Sequence, residues 1–293
     1  KVRYLAHVDQ FMEFAGIKHQ HLVTLDLVLK WVTHLRANGW AWDTRRHALL
    51  YLRRACVMGT GSGIPNVIIG HKIDHQERRQ RIVRAWALPQ LAAALVAAEE
   101  DPRIRAAIAL GGCLGLRPTE ICRVDITDLE LRDDPTYLHS VDVLHIGRRD
   151  AKNNASVRAL PIPASMLPWL KAAAGKRKSG PLIESDVRRR GRHLTPSGLH
   201  QAIADALRAK PRPPIAPKDL RKTFATWAAP IISGADLERF LGHASALHAQ
   251  VTVRHYLAHH LAEQLQPAAQ ALDVALSKAL RDAAVKPRKR RAV

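Results

Sequence analysis

Apolar residues in the first 60 positions recur at helical spacing and predict three helices. An amphipathic stretch covers 4–15, and a third helix begins at Asp43 and runs to about Met58. The second helix follows the N-capping residue Thr24 and keeps its apolar residues on one face. These apolar residues are Leu25, Val28, Leu29, Val32 and Leu35. A glycine-rich stretch, 59–66, then ends the helical pattern.

From Trp86 onward the helical pattern returns, and a β pattern interrupts it once. The predicted helices lie at 88–99, 103–114, 163–174, 195–209, 217–229, 235–241, 246–259 and 261–284, with a short one opened by Pro118. Between them, 141–146 and 157–162 run apolar between turn residues, which predicts a β-hairpin with Lys152 in its connection. The predicted fold class is therefore mainly α with a small β-sheet.

A strongly basic composition favours a polyanionic partner. The formal net charge is +20, and the tail 286–291 supplies only five of these charges, so the folded body is basic as well. Apolar residues make up 47% of the chain, which indicates a folded protein. No strongly amphipathic basic helix with aromatic residues stands out, so nucleic acid is favoured over a membrane surface.

Two groups of arginines are candidate DNA contacts. The third helix carries Arg45, Arg46, Arg53 and Arg54, for which a merely solvated face is the alternative. The second group, Arg78, Arg79 and Arg81, lies in a polar segment that we interpret as a linker crossing the nucleic acid.

Cysteine usage and the lack of targeting signals predict a cytoplasmic, nucleoid-associated protein. Cys56, Cys113 and Cys122 are scattered without metal-ligand spacing, as in a reducing compartment. No signal peptide is visible, and the best apolar run, 86–98, is too short to span a bilayer.

Four residues in the C-terminal two-thirds suit the chemistry of a phosphodiester: Arg117, Arg221, His243 and Tyr256. Guanidinium groups bind both non-bridging oxygens of a phosphate, and a tyrosine oxygen can attack the phosphorus. Arg117 follows an apolar helix and a glycine, where a buried charge needs a partner. Glu120, three residues on, is placed to be that partner and to orient the guanidinium.

Each of these residues also has a simpler interpretation. A tyrosine on an amphipathic helix is usually a core residue, although Arg254 and His255 give Tyr256 a cationic setting that favours the phenolate. For Lys152 the simpler interpretation is a solvent-exposed lysine in a turn. The functional one is a general acid that protonates a leaving oxygen. His255, His259 and His260 have helical metal spacing, but no nearby carboxylate or cysteine completes a zinc site. No carboxylate cluster, Walker loop or dinucleotide fingerprint is present, so neither metal nor cofactor is predicted.

The order of these motifs resembles that of the tyrosine recombinases, or phage integrases, over nearly the whole chain. Gly115-Leu116-Arg117-Pro118-Thr119-Glu120 is similar to the first arginine box, and Lys152 before Arg158 to the hairpin lysine. The second arginine box corresponds to 218–226, which contains Lys218 and Arg221. The final histidine and the nucleophile correspond to His243 in Leu-Gly-His and to Tyr256.

The resemblance implies that two domains close as a clamp around duplex DNA. Residues 1–76 would form a helical core-binding domain, 77–85 the linker and 86–260 a mixed α/β catalytic domain. Residues 261–284 would form a C-terminal helix that packs on a neighbouring protomer, followed by a basic disordered tail, 285–293.

The resemblance also implies the reaction. Tyr256 would attack the scissile phosphate to give a 3′-phosphotyrosine, with Arg117, Arg221 and His243 stabilising the transition state and Lys152 as general acid. Four protomers would exchange strands on double-stranded DNA through a Holliday junction without ATP. Accessory DNA-bending proteins are candidate further partners.

Two departures from the pattern keep alternatives open. Lys218 stands where a histidine is usual, and lysine is a poorer base at neutral pH; the type IB topoisomerases share this variant. His243 and Tyr256 are thirteen residues apart, about four more than usual, so His248 is an alternative to His243. The alternative functions are a topoisomerase-like relaxing enzyme and a DNA-binding protein without chemistry.

Overall fold

The computed structural model describes residues 2–60, 84–132, 141–147, 157–185, 192–208, 215–243 and 258–285. Its internal contacts divide the chain into two units, Lys1–Ile82 and Val83–Val293. The division falls within the predicted linker 77–85, while the functions assigned to each segment stay predictions.

The first unit consists of three α-helices around a small apolar core. They are α1 (Val2–Ala15), α2 (Leu25–Ala37) and α3 (Trp42–Thr60), with a short 3₁₀ turn at Gln20–Leu22. Thr24 caps α2 as predicted, because its side chain accepts a hydrogen bond from the backbone N–H of Leu27. Phe11 and Trp31 meet edge to face at the centre, with ring centroids 5.2 Å apart.

Arg45 is predicted to lie on an exposed basic face of α3, but the structure places it in the interior of this unit. Its side chain is only 6% exposed. The reason lies in helical spacing, since Arg45 is three and four residues before Ala48 and Leu49, both of which are buried in the core of this unit. Arg46 and Arg54 are exposed and Arg53 is half-buried, so these three keep the predicted exposure.

The second unit contains eight α-helices and a three-stranded sheet among the described residues. Its helices are α4 (Leu88–Ala97), α5 (Pro102–Leu114), α6 (Pro118–Arg123), α7 (Leu167–Ala174), α8 (Pro196–Leu207), α9 (Pro217–Ala228), α10 (Gly234–Leu241) and α11 (Ala258–Val285). Short 3₁₀ turns lie at Ile126–Asp128 and Ala164–Met166. Most of the predicted 246–259 helix falls outside the described residues.

The sheet is antiparallel in the order β1-β2-β3, formed by Leu129–Glu130, Val143–Ile146 and Arg158–Pro161. The predicted hairpin strands correspond to β2 and β3, which pair from Val143 opposite Pro161 to Ile146 opposite Arg158. The two-residue strand β1 was not predicted, because it is too short to show an alternating pattern. The predicted fold class, mainly helical with a small sheet, is confirmed.

Helix α5 forms the centre of the second unit, and its residues from Ala106 to Leu114 are all buried. Two glycines let neighbouring helices approach it closely. A Cβ at Gly111 would lie 2.9 Å from the Cβ of Leu220 in α9, and one at Gly112 would lie 2.5 Å from Leu91 in α4. The indole N–H of Trp227 in α9 also donates to the Gly112 carbonyl, at 2.8 Å.

Helix α11, for which a contact with a neighbouring protomer is predicted, packs on its own chain through one face. Its apolar face packs on its own chain, against α4 and β3. Leu265, Ala269, Leu272 and Leu276 are buried in the core of the second unit. Asp273 accepts hydrogen bonds from the backbone N–H and the hydroxyl of Ser165. A contact in trans by this helix stays a prediction, and it would have to use the opposite face or release α11 from this packing.

Within the described residues, none of the helices combines the length and the apolar content that a membrane span requires.

Candidate active site

The close packing of α5 and α9 brings the two predicted arginines to the same surface. Arg221 follows Leu220, the residue that packs on Gly111. Helix α5 is capped at its C-terminus by Gly115, whose φ of 70° is left-handed, and a Cβ there would lie 2.5 Å from the ring of Phe224. The chain then turns directly into Arg117, the N-cap residue of α6. Gly115 is therefore required both by its backbone and by the space left beside α9.

Glu120 holds Arg117 through both its backbone and its side chain. The backbone N–H of Arg117 donates to Oε2 of Glu120 at 2.8 Å, and Nη1 of Arg117 donates to Oε1 at 2.8 Å. The Arg117 side chain stays 36% exposed, whereas that of Glu120 is 11% exposed. The structure contains the predicted contact between Glu120 and Arg117, and the guanidinium keeps an open face toward solvent.

A second arginine, Arg158 of β3, binds the same carboxylate. Its Nη1 and Nη2 lie 3.2 Å and 3.1 Å from Oε1 and Oε2 of Glu120. Burial alone would raise the pKa of Glu120, but the charge and hydrogen bonds of Arg158, aided by those of Arg117, lower this pKa below its usual value. Glu120 is therefore a carboxylate with two cationic partners.

Arg221 is held by backbone carbonyls. Its Nη1 donates to the Gly115 carbonyl at 2.8 Å, and its Nη2 donates to the Leu241 carbonyl at 2.5 Å. Burial, and next the nearby charge of Arg117, lower the pKa of Arg221 to about 10. Both causes disfavour a cation here, so this position favours the binding of an anion.

His243 lies at the end of α10, beside Arg221. Its Nε2 is 3.1 Å from Nη2 of Arg221, and its Nδ1 is 2.7 Å from Oε2 of Glu238. A guanidinium can only donate, so these contacts assign the hydrogen to Nδ1 and leave Nε2 as the acceptor. The structure therefore brings Arg117, Arg221 and His243 together as predicted.

The remaining predicted site residues are either exposed or outside the described residues. Lys218 is exposed in the first turn of α9, one helical turn before Arg221 and on the same face. Lys152, Tyr256 and His248 lie outside the described residues, as do Arg78, Arg79 and Arg81. The described residues hold no group of three or more histidine, cysteine or acidic side chains that is arranged to bind a metal.

Sequence reasoning missed two residues of this site, Arg158 and Glu238. Arg158 contacts Glu120 across 38 residues of sequence, at the first position of an otherwise apolar strand. A charged residue at a strand end usually faces solvent, so the place of Arg158 within the predicted hairpin, after Lys152, was the only signal. Glu238 is on a surface helix, where a carboxylate five residues before a histidine is common and gives no signal.

The arrangement suits the binding of a phosphate group. Two guanidinium groups with open donors lie beside an imidazole and near an exposed lysine. Such donors stabilise negative charge that grows on phosphoryl oxygens in a transition state.

Comparison with known proteins places these residues in a family. Residues 82–263 match the family model described as the phage integrase family. Over 179 residues the chain is 28% identical to a prophage phiRv2 integrase of Mycobacterium tuberculosis (strain H37Rv), a match that covers 58% of this chain and 46% of the relative. The chain thus spans about half the length of this curated relative.

Solved structures share the fold. A lambda integrase dimer bound to a COC′ core site is 17% identical, with a TM-score of 0.63 over 84% of this chain and 85% of that one. A lambda integrase tetramer bound to a Holliday junction is 17% identical, with a TM-score of 0.62 over 83% of this chain and 71% of that one.

Proposed function

The chain belongs to the phage integrase family, and on that premise we propose that it is a site-specific DNA recombinase of a prophage or other mobile element. It cuts and rejoins DNA strands through a covalent 3′-phosphotyrosine. The match to a prophage integrase supports the biological setting. In this proposal the enzyme acts on double-stranded DNA of the cytoplasm, at the nucleoid.

The observation that carries the proposal is the convergence of Arg117 and Arg221 beside His243. The setting of Arg221 disfavours a cation, because burial, and next the charge of Arg117, lower its pKa to about 10. A phosphodiester supplies the missing negative charge and has two non-bridging oxygens, one for each arginine. Binding the scissile phosphate there would activate it toward attack.

Tyr256 is the proposed nucleophile, and the course of the chain supports its reach. Helix α11 begins at Ala258, and Ala262 is buried beside Ala159, the residue after Arg158. Tyr256 is six positions before Ala262 in the sequence. This closeness along the chain supports Tyr256 as the nucleophile of the same site.

The proposed step keeps atoms and charge in balance. The phenolic oxygen of Tyr256 bonds to phosphorus, and the bond from phosphorus to the 5′ oxygen breaks. Lys152 protonates the leaving 5′ oxygen, and the phenolic proton passes to a base. His243 is the proposed base, because its Nε2 is an acceptor that is freed when the phosphate takes the Nη2 hydrogen of Arg221. Lys218 adds a further donor for the phosphate.

Rejoining is the reverse reaction in the same site. A 5′ hydroxyl from another strand attacks the phosphotyrosine and releases Tyr256, so no ATP is needed. The structural likeness to a lambda integrase tetramer on a Holliday junction supports a homotetramer as the working assembly. Accessory DNA-bending proteins are proposed only as further partners.

The first unit is proposed to bind DNA. Arg46, Arg53 and Arg54 lie on one side of α3, and Arg46 stands over the Trp42 ring at 5.8 Å. Together with Arg78, Arg79 and Arg81 they would contact phosphates, so their loss should weaken binding most at low salt.

The direct test traps the covalent intermediate on DNA of any sequence, so the target site need not be known. Nicked duplexes with randomised base pairs on both sides of the nick lose the short 5′-hydroxyl fragment after cleavage, which prevents rejoining. DNA that stays bound to protein through denaturing electrophoresis is then recovered and sequenced. Wild type should enrich a defined sequence, while Tyr256→Phe should trap none and the control Tyr51→Phe should trap as much as wild type.

Each other outcome favours a different function. Adducts without sequence enrichment, together with relaxation of a supercoiled plasmid, would favour a topoisomerase-like enzyme. Binding without any adduct in wild type would overturn the proposed chemistry and leave a DNA-binding protein.

A further inference from the structure

Arg158 is a buried arginine that connects three parts of the candidate site. Its side chain is 8% exposed at the first position of β3. Its two terminal nitrogens bind both oxygens of Glu120, and its Nε donates to the Phe240 carbonyl at 3.0 Å. Glu120 belongs to α6, and Phe240 is three residues before His243.

The two-point contact with Glu120 controls more than one ion pair. Oε1 of Glu120 accepts from Arg158 and also from Nη1 of Arg117. The two parallel hydrogen bonds from Arg158 add to the two from Arg117, so that both carboxylate oxygens are held from two sides. The orientation of Arg117 therefore depends on the Arg158 guanidinium, which holds Glu120 in place.

The contact with the end of α10 is equally close. Gly242 has a φ of 60°, and a Cβ at this position would lie 2.7 Å from Nη1 of Arg158. The turn that carries His243 thus packs directly on the Arg158 guanidinium. Only a planar group that donates on three sides satisfies Glu120 and the Phe240 carbonyl together, and lysine has no such fork.

We infer that Arg158 is a positioning residue that fixes Arg117, through Glu120, and the His243 turn, through Phe240 and Gly242. It also ties both to β3, the strand that follows the predicted hairpin lysine. This inference rests on the proposed function, since the geometry that it maintains is that of the phosphate-binding groups.

The test compares two conservative changes, Arg158→Lys and Arg177→Lys. Arg177 is a matched control in the same unit, since its guanidinium binds the carboxylate of Glu184 at 2.7 Å and the carbonyls of Ala173 and Pro181. Its described contacts include none of the site residues. The measurement is the single-turnover rate of covalent adduct formation against DNA concentration, on the duplex enriched by wild type.

Misplacement of Arg117 should slow the chemical step and leave DNA binding intact. We expect Arg158→Lys to lower the saturating rate by about 10- to 100-fold, with the half-saturating DNA concentration within about 2-fold of wild type. Arg177→Lys should match wild type in both. The inference fails if the two variants lose rate equally, or if Arg158→Lys changes the half-saturating concentration instead of the rate.

A second measurement does not depend on cleavage. The carboxyl of Glu120 is titrated by ¹³C NMR in wild type, Arg158→Met and Arg158→Gln. Two neutral variants are used so that the measurement is still possible if one of them does not fold. Because Arg158 lowers the pKa of Glu120, its removal should raise the titration midpoint of this carboxyl. An unchanged midpoint would overturn the Arg158 contact even if wild type cut DNA. A raised midpoint with no cleavage by wild type would instead count against the proposed function alone.

Discussion

The site consists of two clusters that hold their arginines in opposite ways. In the Glu120 cluster (Arg117, Glu120 and Arg158), one largely buried carboxylate binds two guanidiniums. In the Arg221 cluster (Arg221, Glu238 and His243), two backbone carbonyls hold the arginine, and the carboxylate of Glu238 reaches it only through the imidazole. The described residues place no carboxylate within ion-pair distance of Arg221.

The two clusters therefore differ in how far they neutralise the charge of the arginine that they position. Carbonyl groups fix a guanidinium without neutralising it, so Arg221 keeps its full charge for a ligand. Glu120 cancels one of two positive charges, and its main contribution is the placement of Arg117. We therefore expect the Arg221 cluster to matter for rate and the Glu120 cluster to matter for both rate and stability.

The largest effect is expected from Arg221→Gln. Losing a charged donor to the transition state should lower the rate of adduct formation by about 1,000-fold. Stability should change little, because removing a disfavoured cation offsets the lost hydrogen bonds to the two carbonyls. Single-turnover kinetics and calorimetry on the same preparation measure the two quantities.

Arg221→Lys is the control for charge alone. It should recover only part of the rate, because a lysine cannot reach both carbonyls and the phosphate at once. Full activity in Arg221→Gln would show that Arg221 does not bind the reacting phosphate.

Glu120→Gln should lower both stability and rate. The change leaves the buried Arg158 without a counter-charge, and we expect a loss of about 2–3 kcal/mol, discounted for the exposure of Arg117. That corresponds to a drop of about 5–10 °C in the melting temperature of the larger unit. The rate should fall by about 100-fold, because Arg117 is misplaced rather than removed. Loss of rate without loss of stability would contradict the proposed division between the clusters.

His243→Gln should lower the rate by about 10- to 100-fold without changing stability, since the imidazole is 47% exposed. His248→Gln is the matched change at the alternative histidine and should match wild type. The comparison of the two single-turnover rates would assign the role to His248 if the effects were reversed.

The smallest effect is expected from Gly242→Ala, which touches both clusters. Its left-handed φ of 60° costs about 1–2 kcal/mol for alanine, and the added methyl would press on Arg158. Gly39→Ala shares a left-handed φ, of 74°, with nothing within 4 Å of the added carbon, so it measures the backbone cost alone. We expect a rate loss of up to about 10-fold in Gly242→Ala only, and equal rates in both variants would show that the Arg158 contact is unimportant.

Much of the Glu120 cluster could be predicted from local sequence, and Arg158 could not. The i, i+3 spacing of Arg117 and Glu120 on a short helix brings their side chains together, and the structure has that pair. Arg158 reaches the same carboxylate only after β3 has paired with β2 and packed beside α6. A contact formed by tertiary packing leaves no periodic signal in the sequence.

Two further features depend on tertiary packing in the same way. Helical spacing places Arg45 three residues before Ala48, on the core face, but its charge made a surface position the simpler expectation. For α11 the sequence predicted a helix over 261–284, and only the packing of Leu265 and Leu272 shows that one of its faces contacts its own chain.

The most direct test of the central claim is mass spectrometry of the trapped DNA adduct after digestion by protease and nuclease. If Arg117 and Arg221 present a phosphate to the nucleophile, the remaining nucleotide will be attached through its 3′ phosphate to the peptide that contains Tyr256. Attachment to any other residue, or through a 5′ phosphate, would contradict the account.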